Sequence, residues 1–309
     1  MPTPGATTPS TKTEQEAVIY PSRLRYEAPR TLDEACALLA EGGGDAKVLA
    51  GGQSLVPMLK LRFASPEMLV DINEISDLAY HVRDGDGTIR VGALCRHADL
   101  ERSTLLAEHQ PTMMGAAPLV ADPIVRNRGT LVGSLCHADP QGDWASVMMA
   151  LDASVVAHGP GGKRSIPMRD LVSGPFQTTL AFDEIAIEAV VPAPQGVATG
   201  GYLKLERRVG DYATAGVAVA LDRVGDRVVR AGIGLTGVGG STIAADEAAA
   251  VLQGGSLSAE KIDDAADLAA AAAQPHSDHR GSADFKRQLI RVFTRRLLTR
   301  LTTSEEEAA

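Results

Sequence analysis

The sequence predicts a mixed α and β chain of two domains, and three observations carry that prediction. At 309 residues the chain is longer than one hydrophobic core usually organises. Helical and strand patterns alternate through its first half, as in an α/β or α+β build. Finally, Pro192-Ala-Pro194 ends a strand pattern and the glycine-rich run from Gly196 to Gly201 reads as a connector. This places a first domain over 20–198 and a second over 199–302. Residues 1–19, rich in Thr, Pro, Ser and Glu, read as a tail that cannot bury enough apolar surface to offset its ordering entropy. Residues 303–309 read as a short acidic tail.

Order begins near Tyr20-Pro21. Thr31 and Glu34 have the spacing of a capping box, opening a helix that carries Leu32, Ala35, Leu38 and Leu39 until Gly42-Gly43-Gly44 ends it. A short buried strand over 47–50 runs straight into Gly51-Gly52-Gln53-Ser54, with a helix expected through Leu61. Strands follow near 68–70 and 88–91, then helices around 97–108 and 111–120. Asp122-Pro123 breaks the second of these. Arg126 to Ser134 then forms another glycine-containing turn, and 183–191 a strand. Beyond the boundary, Val229, Ala231, Ile233 and Leu235 alternate with small or polar residues as in a half-buried strand. Two Ala-rich helical stretches and a basic helix near 284–301 complete an α+β second domain.

Charge and cysteine usage exclude several classes of function. With 30 Lys and Arg against 39 Asp and Glu, the net charge of -9 disfavours nucleic acid and anionic lipid as partners. No apolar run is long enough to span a bilayer, and the first residues lack the apolar centre of a secretory signal, so a cytoplasmic protein is expected. Cys36, Cys95 and Cys136 form no C-x-x-C pair and fall short of the four thiolates an iron-sulfur cluster normally takes. Any cluster belongs to a partner.

Both glycine turns have the chemistry of an anion site. Glycine after a strand allows positive φ and close backbone approach, so successive N-H groups can converge on a phosphate. Ser54, Thr130 and Ser134 add hydroxyl groups. Neither turn ends in Gly-Lys-Ser/Thr, which disfavours an ATPase, and two separate anion turns suit a pyrophosphate joining two nucleoside halves, as in FAD. Gly232-Ile-Gly-Leu-Thr-Gly237 also fits G-x-G-x-x-G. Its glycines lie inside a period-2 strand pattern without the second strand and acidic residue of a dinucleotide unit, so they mark close packing.

Other polar clusters are read as structural. Ser134, His137 and Asp139 are close in sequence, which is poor grounds for a hydrolase triad. His276 and His279 lack a second ligand cluster, and no metal site is expected. Arg287, Arg291 and Arg295 give the last helix a basic stripe, read as a solvated face, and Trp144 is expected to pack in the core.

The segment Val48-Leu-Ala-Gly-Gly-Gln-Ser-Leu-Val-Pro-Met-Leu-Lys-Leu-Arg62 resembles the first FAD motif of the flavoprotein (medium) subunits of molybdenum hydroxylases, the xanthine dehydrogenase family, carbon monoxide dehydrogenase type. The resemblance continues through Val91 to His97, Arg126 to Ser134, His137 to Pro140, Tyr202 to Arg208, Asp211 to Val217 and Arg280 to Arg287, covering about residues 20–302. It implies an α+β chain: a PCMH-type FAD-binding domain of two α/β subdomains, then the α+β C-terminal domain of these flavoproteins. By the same resemblance, Val48, Leu49, Ala50, Gly51, Gly52, Gln53, Ser54 and Leu55 wrap the FAD pyrophosphate. Gly129, Thr130, Val132, Gly133 and Ser134 bind it from the other side, and Asp143 contacts the flavin nucleotide. Ala186, Tyr202 and Lys204 fall near the isoalloxazine ring, with Tyr202 a candidate to cover one face.

Two residues depart from the family pattern. Gln53 stands where a histidine is frequent, and Val132 stands where Thr-x-Gly-Gly has glycine. If that glycine used positive φ, a β-branched residue would force the loop to be rebuilt or weaken the phosphate contact. The resemblance further implies a heterotrimer, assembled as a dimer of heterotrimers. Substrate is oxidised at a molybdopterin cofactor in a large subunit, and electrons pass through the 2Fe-2S clusters of a small subunit to FAD on this chain. An external acceptor such as NAD, quinone or oxygen takes them onward, and no catalytic acid, base or nucleophile is expected here. The alternatives are a self-contained flavin oxidoreductase of the same fold and a non-catalytic, flavin-poor assembly subunit.

Overall fold

The computed structural model describes residues 20–306, so the tail expected over 1–19 and residues 307–309 lie outside the described residues. Strand β1 (Arg25–Glu27), helix α1 (Leu32–Gly42), strand β2 (Ala46–Leu49), helix α2 (Leu55–Lys60) and strand β3 (Met68–Asp71) form a small parallel unit with strand order β1-β3-β2. Thr31 caps α1 as its spacing predicts, its hydroxyl accepting from Glu34 N-H at 3.3 Å. The Glu34 carboxylate reaches one residue further back than a capping box requires, accepting from Arg30 N-H.

The second unit is an antiparallel sheet of order β4-β5-β10-β6-β7, built from β4 (His81–Arg83), β5 (Ile89–Gly92), β6 (Ser154–Gly159), β7 (Gly162–Pro167) and β10 (Ile185–Val191). Between β5 and β6 the chain inserts α3 (His97–Glu101), α4 (Thr104–His109), α5 (Pro111–Ala116), α6 (Pro123–Arg126), α7 (Leu131–His137) and α8 (Asp143–Ala150). The single helix expected over 97–108 is therefore two, because Ser103 leaves the helix to accept from Leu106 N-H as a new N-cap. Helix α9 (Met168–Leu171) and a ribbon of β8 (Val172–Gly174) and β9 (Gln177–Thr178) complete this unit.

The third unit is an antiparallel meander of β11 (Val197–Leu205), β12 (Ala215–Val224), β13 (Arg227–Thr236) and β14 (Ile243–Ala244), followed by α10 (Asp246–Ala250), α11 (Ala259–Ala272) and α12 (Ala283–Glu306). The glycine-rich connector expected from Gly196 to Gly201 is mostly strand β11. Its glycines serve packing instead: a Cβ on Gly200 would overlap Thr112 of α5. Strand β12 is buried on both faces, and its side-chain size alternates accordingly. Ala218 and Ala220 face the core of the first domain, while Val217, Val219 and Leu221 face α11 and α12.

Gly232 and Gly234 confirm the close-packing reading of the G-x-G-x-x-G match. A Cβ on either would overlap a backbone carbonyl of α8, Ala150 or Ser146. The basic stripe of α12 is solvated as expected, and within it Arg291 pairs with Asp267 and Arg295 with Asp263, both on α11. Helix α12 also runs on to Glu306, past the point where an acidic tail was expected to begin. Among the described residues no helix is long and apolar enough to cross a membrane.

Candidate functional site

Strand β2 delivers the first glycine turn at the edge where β1, β2 and β3 end in parallel. Val48 and Leu49 close the strand, Ala50 leaves it, and Gly52 takes φ 74°, a conformation that costs a side-chain-bearing residue energy. Among the described residues, the N-H groups of Gly51, Gly52, Gln53 and Ser54 donate to no acceptor. Gln53 is exposed, with its amide 3.4 Å from the Gly51 carbonyl, and Leu55 begins α2.

The second turn is presented by a closed structure. Asp122 caps α6, Arg126 is buried in a two-bond pair with Glu101 (2.9 and 3.1 Å), and the chain then passes through Gly129 to Thr130. Thr130 is the N-cap of α7, its hydroxyl accepting from Gly133 N-H at 3.1 Å. Val132, Gly133 and Ser134 are therefore helical, where a loop was expected. The concern over Val132 falls away: it is 2% exposed, packs in the core and has no positive φ. A β-branched side chain is compatible with the first turn of a helix, so no loop has to be rebuilt.

The two turns meet. A Cβ on Gly51 would overlap the Arg128 carbonyl oxygen and lie 2.8 Å from Gly129 Cα, so the backbones touch because glycine stands at both positions. Arg96 joins them from below, donating to the Arg128 carbonyl (2.7 Å) and to Asn73 Oδ1 (2.6 Å), while Asn73 donates to the Ala50 carbonyl (2.8 Å). His97 lies under Gly129 and accepts from Trp144 Nε1 at 3.0 Å through Nδ1. Burial, with Arg126 and Arg96 nearby, holds the His97 pKa down to about 4. Trp144 is fully buried and packs in the core. Arg96 and His97 lie in the Val91 to His97 stretch of the resemblance but were given no role there, and sequence reasoning missed Asn73 altogether.

A third group lies between the two domains. Asp143 opens α8 and accepts from Tyr202 Oη (2.7 Å) and Lys204 Nζ (3.2 Å), both on β11. Lys204 also reaches Glu206 (3.1 Å) and the Asp211 carbonyl (3.1 Å). Burial pushes the Asp143 pKa up against the opposing pull of Lys204 and the Tyr202 hydroxyl. Tyr202 is 4% exposed, so its ring has no free face to cover an isoalloxazine as expected, and its hydroxyl instead fixes Asp143. Ala186 is buried on β10 at a bulge in its pairing with β6. Above Lys204, Arg207 to Asp211 line a cavity of about 590 Å³. Arg280 holds this loop through two bonds to Asp211, whose pKa it draws down to about 2.

The remaining polar clusters are structural. His137 packs against the Phe176 ring, Asp139 accepts from Gln141 N-H, and no hydrogen bond joins them to Ser134 among the described residues. His276 offers its carbonyl to Lys286, which also pairs with Asp278.

Residues 22–194 match the family described as FAD binding domain in molybdopterin dehydrogenase, and residues 201–301 match the CO dehydrogenase flavoprotein C-terminal domain. The chain belongs to this flavoprotein family. It is 40% identical to the carbon monoxide dehydrogenase medium chain of Hydrogenophaga pseudoflava, over 91% of this chain and 97% of that one. It is 39% identical to the 6-hydroxypseudooxynicotine dehydrogenase complex subunit alpha of Paenarthrobacter nicotinovorans, over 91% and 95%. The structure of carbon monoxide dehydrogenase from Hydrogenophaga pseudoflava superposes with a TM-score of 0.86 at 41% identity, covering 90% and 97% of the two chains. Quinoline 2-oxidoreductase from Pseudomonas putida 86 gives 0.83 at 32% identity, covering 91% and 97%.

This flavoprotein chain is thus an FAD-binding oxidoreductase subunit of the molybdenum hydroxylase type. Its own residues fit a dinucleotide. Four amides of the first turn lack acceptors, the second turn is locked against the first, and Arg96 and Arg128 form no ion pair with a carboxylate among the described residues.

Proposed function

We propose that this chain is the FAD-carrying electron-transfer subunit of a heterotrimer, taking electrons from 2Fe-2S clusters of a small partner and passing them to an external acceptor such as NAD, quinone or oxygen. Substrate oxidation belongs to a large partner carrying molybdopterin. The observation that carries the reading is the contact between two glycine turns far apart in sequence, which supports a site for both phosphates of one pyrophosphate. The relatives support the partners: one is a subunit of a dehydrogenase complex, and one solved relative is a Cu,Mo-CO dehydrogenase. The thiols of this chain fit that division, since burial pushes Cys95 and Cys136 up to about 12, far from the thiolate a cluster needs.

Within this reading Gly51 to Ser54 hold the pyrophosphate from one side, and Thr130 to Ser134 hold it from the other. FAD, when bound, supplies the ability to take electrons singly and release them as a pair. Lys204 joins two carboxylates, Asp143 and Glu206, between the domains, and Tyr202 keeps the Asp143 carboxylate oriented.

The test is purification of the chain with its native partners, then rapid mixing of the anaerobic complex with candidate hydroxylase substrates. Bleaching of iron-sulfur and flavin absorbance together, lost when the cysteine-rich small chain is removed, is the expected result. Flavin reduction by a small organic substrate with the isolated chain would instead identify a self-contained oxidoreductase. A native complex without flavin would identify an assembly subunit.

A further inference from the structure

The carbonyls that Arg96 and Asn73 engage occupy equivalent places in the two turns: Ala50 precedes the glycine pair of the first, and Arg128 precedes Gly129 of the second. In a trans peptide the carbonyl and the following N-H point in opposite directions, so holding the Ala50 carbonyl against Asn73 aims the free Gly51 N-H the other way. The Arg128–Gly129 peptide is held at both ends, its carbonyl by Arg96 and its N-H by the Val125 carbonyl at 2.7 Å. A planar guanidinium with fixed donor directions is suited to span two acceptors, which an ammonium group is not. Arg96 is in turn anchored by its backbone, which accepts no slack: its N-H donates to Asp99 at 3.0 Å and it bridges Thr130.

We propose that Arg96 is a positioning residue for the dinucleotide, acting with Asn73 to hold the two glycine turns at one separation so that both phosphates of a single pyrophosphate are met at once. The charge distribution agrees with this role. Burial and the nearby Arg128 both disfavour charge on Arg96, and Asp99 and Asp71 offset this only in part. An arginine nevertheless stays protonated in proteins, so the junction of the turns carries positive charge that an anionic group relieves.

The inference rests on the FAD reading, and its test separates the two. The full chain is freed of flavin, and FAD and FMN affinities are measured by fluorescence titration for wild type, Arg96→Lys, Arg96→Met, Asn73→Ala and the Arg96→Lys/Asn73→Ala double variant. The melting temperature of each flavin-free chain is recorded alongside. Loss of bonds to oriented groups at a charged site is worth about tenfold in affinity. Arg96→Lys and Arg96→Met are therefore expected to weaken FAD by about that factor while FMN, with one phosphate, stays near its wild-type affinity. The double variant is expected to bind FAD no more weakly than Arg96→Lys alone, because both substitutions break one connection. A purely structural role would weaken FAD and FMN in proportion to the fall in melting temperature, and that result overturns the proposal. So does wild-type FAD affinity in Arg96→Lys or, should the Arg96 variants not fold, in Asn73→Ala. A wild-type chain that binds no FAD sinks the FAD reading itself.

Discussion

The two glycine turns carry similar sequence signals and are built in opposite ways. The first is open: Gly52 has positive φ, and four successive amides donate to no acceptor among the described residues. The second is closed: Thr130 caps a helix, Val132 is in the core, and Arg126 is locked to Glu101 behind it. The difference teaches that glycine in the two turns answers different demands. In the first it supplies a backbone conformation and a touching distance, whereas in the second most positions obey ordinary helix rules. Substitutions there are tolerated or punished for reasons of packing.

The largest test of this contrast is Gly51→Val. The added atoms meet the Arg128 backbone, which is held at both ends, so FAD affinity is expected to fall by about a hundredfold or more in a binding titration. Val132→Gly probes the other turn and restores the family's glycine. Emptying a fully packed site and placing glycine in a helix should cost about 3 kcal/mol of stability in denaturant unfolding, with flavin stoichiometry unchanged. Tighter FAD binding in that variant would mean that the closed description of the second turn is mistaken.

A pH scan reads the floor shared by both turns. His97 has its pKa lowered from 6.5 to about 4, because the ring is buried and lies near Arg126 and Arg96. The unfolded chain therefore takes up the proton first as pH falls. The stabilisation is complete above pH 6.5 and is lost between 6.5 and about 4, amounting to up to about 3 kcal/mol. His97→Gln should flatten that part of the profile. The smallest effect belongs to Thr130→Ala, which removes the cap of α7 at a cost of about 1 kcal/mol and leaves the first turn intact.

Much of the fold was legible because its signals are local. Thr31 caps α1, the helix pattern from 111 stops before Asp122-Pro123, and the alternation ending in Ile233 and Leu235 is strand β13. Gly232 and Gly234 were read correctly because period 2 outranks a motif match. The rest depends on contacts between distant segments. The Gly196 to Gly201 stretch looks like a linker until α5 packs against it, and the solvated arginines of α12 show no partner until α11 supplies Asp263 and Asp267. The same limit applies to the site. The glycines could be named from sequence, but Tyr202 looks available until Asp143 claims its hydroxyl. Arg96 stands in a stretch the resemblance marks, but its role shows only where it reaches one turn directly and the other through Asn73.

The central claim is that these turns form one dinucleotide site, and flavin content tests it most directly. Acid extraction of the purified wild-type chain, with chromatographic identification and quantitation of what is released, should give FAD near one equivalent per chain and essentially none from Gly51→Val. Recovery of FMN in place of FAD, or no flavin from either the chain or its native complex after FAD addition, would contradict the account.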